Sequence, residues 1–90
     1  MRKIKALMQP VDMISWFTRD GVPTPIKYRL SGEDAARLTV RVDRIMERKE
    51  EKRAGNRMLV FKCRSMIDGT EKIYEIKYEV NTCRWYLYKI

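Results

Sequence analysis

Histidine is absent from this chain of 90 residues, and cysteine occurs only twice. Without an imidazole there is no ordinary general base near neutral pH. Nothing is present to activate Ser15, Ser31, Ser65, Cys63 or Cys83 as a nucleophile through a histidine partner. Two cysteines alone do not complete a four-ligand structural zinc site, so both are expected as free thiols, with no metal and no other cofactor. The four glycines, at 21, 32, 55 and 69, are scattered among turn signals, which excludes a glycine-rich phosphate loop. Three prolines are too few for a linker or a low-complexity tract. No apolar run approaches the ~18 residues of a membrane span, so no membrane partner is expected. Met1 to Pro10 opens with Arg2, Lys3 and Lys5, but Gln9, Pro10 and Asp12 interrupt its apolar stretch. Residues 1–11 therefore read as a basic arm rather than an export signal, and a cytoplasmic location with reduced thiols follows. Taken together, these absences argue against an enzyme.

What the chain does have is positive charge. Twenty Lys and Arg residues stand against twelve Asp and Glu, a formal net charge of +8. Such a charge on a small domain concentrates anions around it, and nucleic acid is the expected partner class. A length of 90 residues holds one core, so residues 12–90 are expected to form a single domain.

Apolar residues recur at period 2 along most of the chain, the spacing of half-buried strands. Met13 to Thr18 is rich in β-formers and ends at Asp20-Gly21. Ile26, Tyr28 and Leu30 alternate with Lys27 and Arg29; Leu38, Val40 and Val42 alternate with Thr39 and Arg41. The phase breaks at Asp43-Arg44, where a bulge or a switch to helix fits. Arg44 to Ala54 contains neither Gly nor Pro, and Gly55-Asn56 suits a helix end. Its apolar content stops at Met46, however. A strand to about Met46, followed by a short charged helical turn or loop over 46–54, is the expectation. Leu59, Phe61 and Cys63 then alternate with Lys62 and Arg64 up to Asp68-Gly69, a hairpin signal. Tyr74, Ile76, Tyr78 and Val80 oppose Glu75, Lys77 and Glu79. Arg84 to Ile90 closes the pattern with Trp85 and Leu87 assigned inward and Tyr86 and Tyr88 outward. Tyr28, Val40, Phe61, Ile76 and Val80 are the expected core.

The fold expected is all-β: about six antiparallel strands in a meander, forming a small barrel or strongly bent sheet. Curling covers the apolar face that no amphipathic helix is available to cover, and it hides the strand edges. Glu75 and Glu79 share a strand face, but four residues place them about 13 Å apart, too far for a paired-carboxylate site. Lys77 stands between them, as on an ordinary solvated face.

The basic residues carry more information. Lys27, Arg29, Arg41, Lys62, Arg64, Lys77 and Arg84 all fall opposite their strands' apolar residues. Lys27, Arg29, Arg41, Lys62 and Arg64 are expected to contact backbone phosphates, with Tyr86 stacking on a base. Tyr88, and Trp16 or Phe17, are further exposed aromatics. No helix-turn-helix or RNP-type signature points to sequence readout. The expected function is largely sequence-independent nucleic-acid binding. The alternative is a protein-interaction or homodimerisation module.

Residues 16–42, W-x₃-D-G-x-P-x-P-I-x-Y-R-L followed by S-G and L-x-V-x-V, resemble families of short bacterial all-β proteins of unknown function. Some of those are encoded beside lesion-bypass DNA polymerases. Leu38 stands where the pattern has an aromatic, and Glu33 to Arg37 lengthen the turn. The runs G-N-R-M-L-V-F-K-C and Y-E-I-K-Y-E-V-N-T-C-R-W-Y-L-Y-K-I are similar to the same kind of small protein. The resemblance implies an all-β fold and carries no catalytic residue.

Overall fold

Seven antiparallel strands account for nearly all of the described chain: β1 (Ala6–Phe17), β2 (Pro23–Gly32), β3 (Ala35–Arg41), β4 (Arg44–Arg53), β5 (Asn56–Ile67), β6 (Thr70–Glu79) and β7 (Arg84–Lys89). The computed structural model describes residues 6–32 and 35–89, with side chains for 8–30 and 39–89. The strands form one sheet in the order β3-β2-β1-β7-β6-β5-β4, strongly curled into a half-barrel. The edge strands β3 and β4 are consecutive in the chain and are joined by Val42 and Asp43 alone. At this corner the Val42 amide donates to the Ile26 carbonyl of β2 (2.8 Å), and the Asp43 amide donates to the Arg64 carbonyl of β5 (3.0 Å). The chain thus leaves one edge of the sheet and enters the other within two residues. The Asp43 carboxylate secures the corner by accepting from the Met66 amide at 2.9 Å.

β1 makes the second change of partner. Its first half pairs with β7, through Val11 opposite Trp85, and its second half pairs with β2 from Asp12 opposite Arg29. Residues 6–11, expected as part of an arm, are therefore strand; residues 1–5 of that arm lie outside the described residues. Met8, at a φ of 44°, marks a bulge against β7.

The core occupies the concave face. Tyr28, Val40, Phe61, Cys63, Tyr74, Ile76, Tyr78, Trp85 and Leu87 are buried there, as period 2 places them. Trp85 packs on Tyr78 and Phe61, with ring centroids 4.7 and 5.6 Å apart. Burial pushes the Cys63 thiol up to about 12, so it stays protonated. Cys63 and Cys83 are both free thiols.

Four expectations are corrected. The stretch 46–54 is not a helical turn: it is strand β4. Gly55, read as a helix end, is the second residue of a two-residue turn in which Ala54 (φ 48°) and Gly55 (φ 81°) are both left-handed. Arg53 opposite Asn56 closes this hairpin. Its backbone form matches that of Asp68 (φ 50°) and Gly69 (φ 74°) in the next hairpin. Ile26 does not share the inward phase of Tyr28, because the register of β1 and β2 skips it between Lys27 and Pro25. Val80 is only half-buried, since β6 ends at Glu79.

The last correction is Lys77, which lies on the outer face as expected but is buried, with 8% exposure. Its ammonium donates to Glu51 of β4 at 2.9 Å and lies 3.7 Å from the centre of the Tyr88 ring. Lys49, Val60 and Lys77 form one cross-strand row, and the lysine stems cover Val60 from outside.

Candidate nucleic-acid interface

Curling turns most of the charged strand residues outward, so the register decides which of them meet. Lys27 on β2 lies directly opposite Arg41 on β3. Arg44 on β4 lies directly opposite Arg64 on β5. Arg41 and Arg44 flank the Val42-Asp43 corner, so the two pairs form one row, Lys27–Arg41–Arg44–Arg64, around the outside of the half-barrel. Arg29 stands two residues along β2 from Lys27, opposite Asp12 and Thr39.

The cations in this region differ in what neutralises them. Arg29 is held by Asp12 at 3.0 Å, and Arg64 lies 3.7 Å from Glu71. Both pairs are exposed enough for water and salt to weaken them. Lys27, Arg41 and Arg44 have no ion-pair partner among the described residues. Asp43, between Arg41 and Arg44, turns its carboxylate to the Met66 amide. Three cations without an ion-pair partner among the described residues therefore stand around the corner, with Arg29 and Arg64 at its flanks.

Lys62 sits elsewhere. Glu47 of β4 and Glu75 of β6 face it from both neighbouring strands, so it belongs to a mixed-sign patch. Tyr86 is half-buried between Lys77 and Pro10, on a strand separated from β2 by β1. The structure thus brings together Lys27, Arg29, Arg41 and Arg64 from the expected set, and does not bring Lys62 or Tyr86 to them. Arg44 is the residue that period 2 missed. The phase break at Asp43-Arg44 hid it, and the turn of the chain through the corner is what aligns it with Arg64.

Aromatic and apolar side chains border the row. Ile14 lies opposite Lys27 on the outer face, 63% exposed. Two residues further along β1, Trp16 is 68% exposed, the largest side chain left open on that face. A shallow groove of 320 Å³ lies at Ile14, lined also by Asp12, Lys27, Arg29 and Thr39 among others. Phe17 is also exposed but rests its edge on Tyr78, 6.0 Å between centroids, so it is committed to packing. Among the described residues, no three Cys, Asp or Glu side chains gather as a metal site would need. No helix of the described residues is long and apolar enough to cross a membrane.

The fold and this row define a small curled β-sheet protein with a cationic corner. No protein-family model matches the chain, and searches of curated proteins and of solved structures returned no match.

Proposed function

We propose that this protein binds nucleic acid without catalysing a reaction, through backbone phosphates laid across the β3–β4 corner. The observation that carries the reading is the meeting of Lys27, Arg41 and Arg44, none of them ion-paired among the described residues. A cation without a carboxylate partner is free to replace a phosphate's counterions, and release of those ions drives association. Arg29 and Arg64 join by exchanging exposed carboxylates for phosphate. The groove is shallow and no side chain of the row is held by neighbours in a fixed fork. That supports contact with any sequence rather than readout of base edges.

Fluorescence anisotropy of labelled single- and double-stranded oligonucleotides tests this. The expected affinity is better than about 100 μM near 50 mM salt, with log K falling as log salt rises. Three to five phosphate contacts give a slope of about −2 to −3.5 on single strands. Absence of binding to either form at low salt overturns the reading. The second reading, an interaction module, is favoured by Ile14, Trp16 and Ile26, all exposed on adjoining strands β1 and β2.

A further inference from the structure

Trp16 is left open where a stable small domain gains by covering it. Burying an aromatic side chain is among the largest single apolar gains available to a fold. The other tryptophan follows that rule: Trp85 is 7% exposed and packs on Tyr78 and Phe61, whereas Trp16 is 68% exposed and makes no aromatic contact among the described residues. Its partner across the β1–β2 pairing is Thr24; Ile14, two residues back on the same outer face, lies opposite Lys27, which is thus a diagonal neighbour of Trp16. A diagonal neighbour across two strands lies about 7–8 Å away, so the indole and the start of the cationic row lie within one nucleotide's reach of each other.

We infer that the strand bound across the corner is single-stranded, and that one of its unpaired bases stacks on the indole of Trp16 beside Ile14 while its phosphates follow Lys27, Arg41 and Arg44. The inference rests on the nucleic-acid reading above and narrows it to one substrate class. The other occupants fit less well. In a duplex every base face is already stacked, so the indole has nothing to stack on there; an unpaired base offers its face freely. A second copy of this chain docked on Trp16 in a twofold arrangement brings Lys27 and Arg41 toward their own like-charged equivalents. Interface cores between proteins are depleted of such charge. The row from Lys27 to Arg64 covers two cross-strand steps and one three-residue step, on the order of 20 Å. That suits the short end of single-strand site sizes, which begin at about 4 nucleotides. Stacking and phosphate contacts ignore the sugar, so DNA and RNA strands of equal length are expected to bind alike.

Binding is read from the anisotropy of an end-labelled strand, and stacking from tryptophan emission, which reports on two sites of known exposure. Oligothymidylate is titrated into the protein, into Trp16→Ala and into Trp16→Tyr. An abasic strand of the same length, with the same phosphates and no bases, is titrated in parallel. The expected result is quenching of the exposed tryptophan by oligothymidylate and not by the abasic strand. Trp16→Ala should weaken oligothymidylate binding about 5- to 150-fold, the range spanned by one stacked base. Trp16→Tyr should recover most of that loss, and binding of the abasic strand should be the same for all three proteins. Unchanged emission of Trp85 checks that each variant is folded. If Trp16→Ala binds oligothymidylate as tightly as the parent, or if the abasic strand binds equally well, stacking is refuted while phosphate binding stands. If no strand binds at all, both readings fail. If Trp16→Ala instead converts a sedimenting dimer to a monomer, the indole covers a second copy, and the inference is overturned.

Discussion

Lys77 shows how one residue can follow the alternation of its strand and still end up out of water. It projects from the outer face, but Tyr88 and Glu51 close over it. The hydrogen bond from its ammonium holds the Glu51 carboxyl below the usual carboxylate range. A carboxylate whose folded value is depressed adds stability at neutral pH and loses that contribution as pH falls through the folded value. Glu51→Gln should therefore cost about 1 kcal/mol at neutral pH, the net worth of a hydrogen bond between charged groups near the surface. The gap between variant and parent should close on acidification toward pH 3. Urea denaturation at the two pH values measures it. A gap that is equal at both means that Glu51 does not hold the lysine as its ion.

The strands and hairpins show which elements were legible in the sequence. β5, β6 and β7 were, because inward-facing residues recur at every second position in each and Asp68-Gly69 names its own turn type. The core residues Tyr28, Val40, Phe61 and Ile76 followed from that alternation alone. β4 was not legible: its edge position leaves it exposed on both faces, so no apolar period survives to mark it. Its run of Lys, Arg and Glu is what an edge strand uses to discourage pairing with other chains, and the same composition suits a charged helix. The first half of β1 was obscured by Gln9, Pro10 and the bulge at Met8, and by exposed Ile14 further on. The basic face was legible as a set of residues but not as a site. Which cations meet depends on the register and on the corner, and neither is written in period 2.

The β4–β5 turn carries the element-scale prediction. Ala54 holds a left-handed conformation that costs an ordinary L-residue roughly 1–2 kcal/mol and that asparagine tolerates. Ala54→Asn should therefore raise stability by about 0.5–1 kcal/mol and leave nucleic-acid affinity unchanged. A lowered denaturation midpoint contradicts the turn geometry.

For the whole molecule, the location of the charge matters more than its total. A net charge of +8 attracts any polyanion to some extent, and ion atmosphere alone produces weak, salt-sensitive association. The chain passes from one edge of the sheet to the other between Arg41 and Arg44, and that passage brings Lys27 and Arg41 of one edge beside Arg44 and Arg64 of the other, three of the four without an ion-pair partner among the described residues. Lys52, Arg53 and Arg84 provide the control. They are exposed too, but lie around the β4–β5 and β6–β7 turns, about 30 Å along β4 from the corner.

The direct test is the salt dependence of single-strand binding, compared between two triple variants of equal charge. One replaces Lys27, Arg41 and Arg44 with alanine; the other replaces Lys52, Arg53 and Arg84. With about 0.7 lost per phosphate contact, the corner variant should flatten the slope of log K against log salt by about 2. The control should leave the slope within a few tenths of the parent and bind nearly as well. Equal flattening in both variants contradicts the account, because the protein then attracts nucleic acid by net charge and not at the corner.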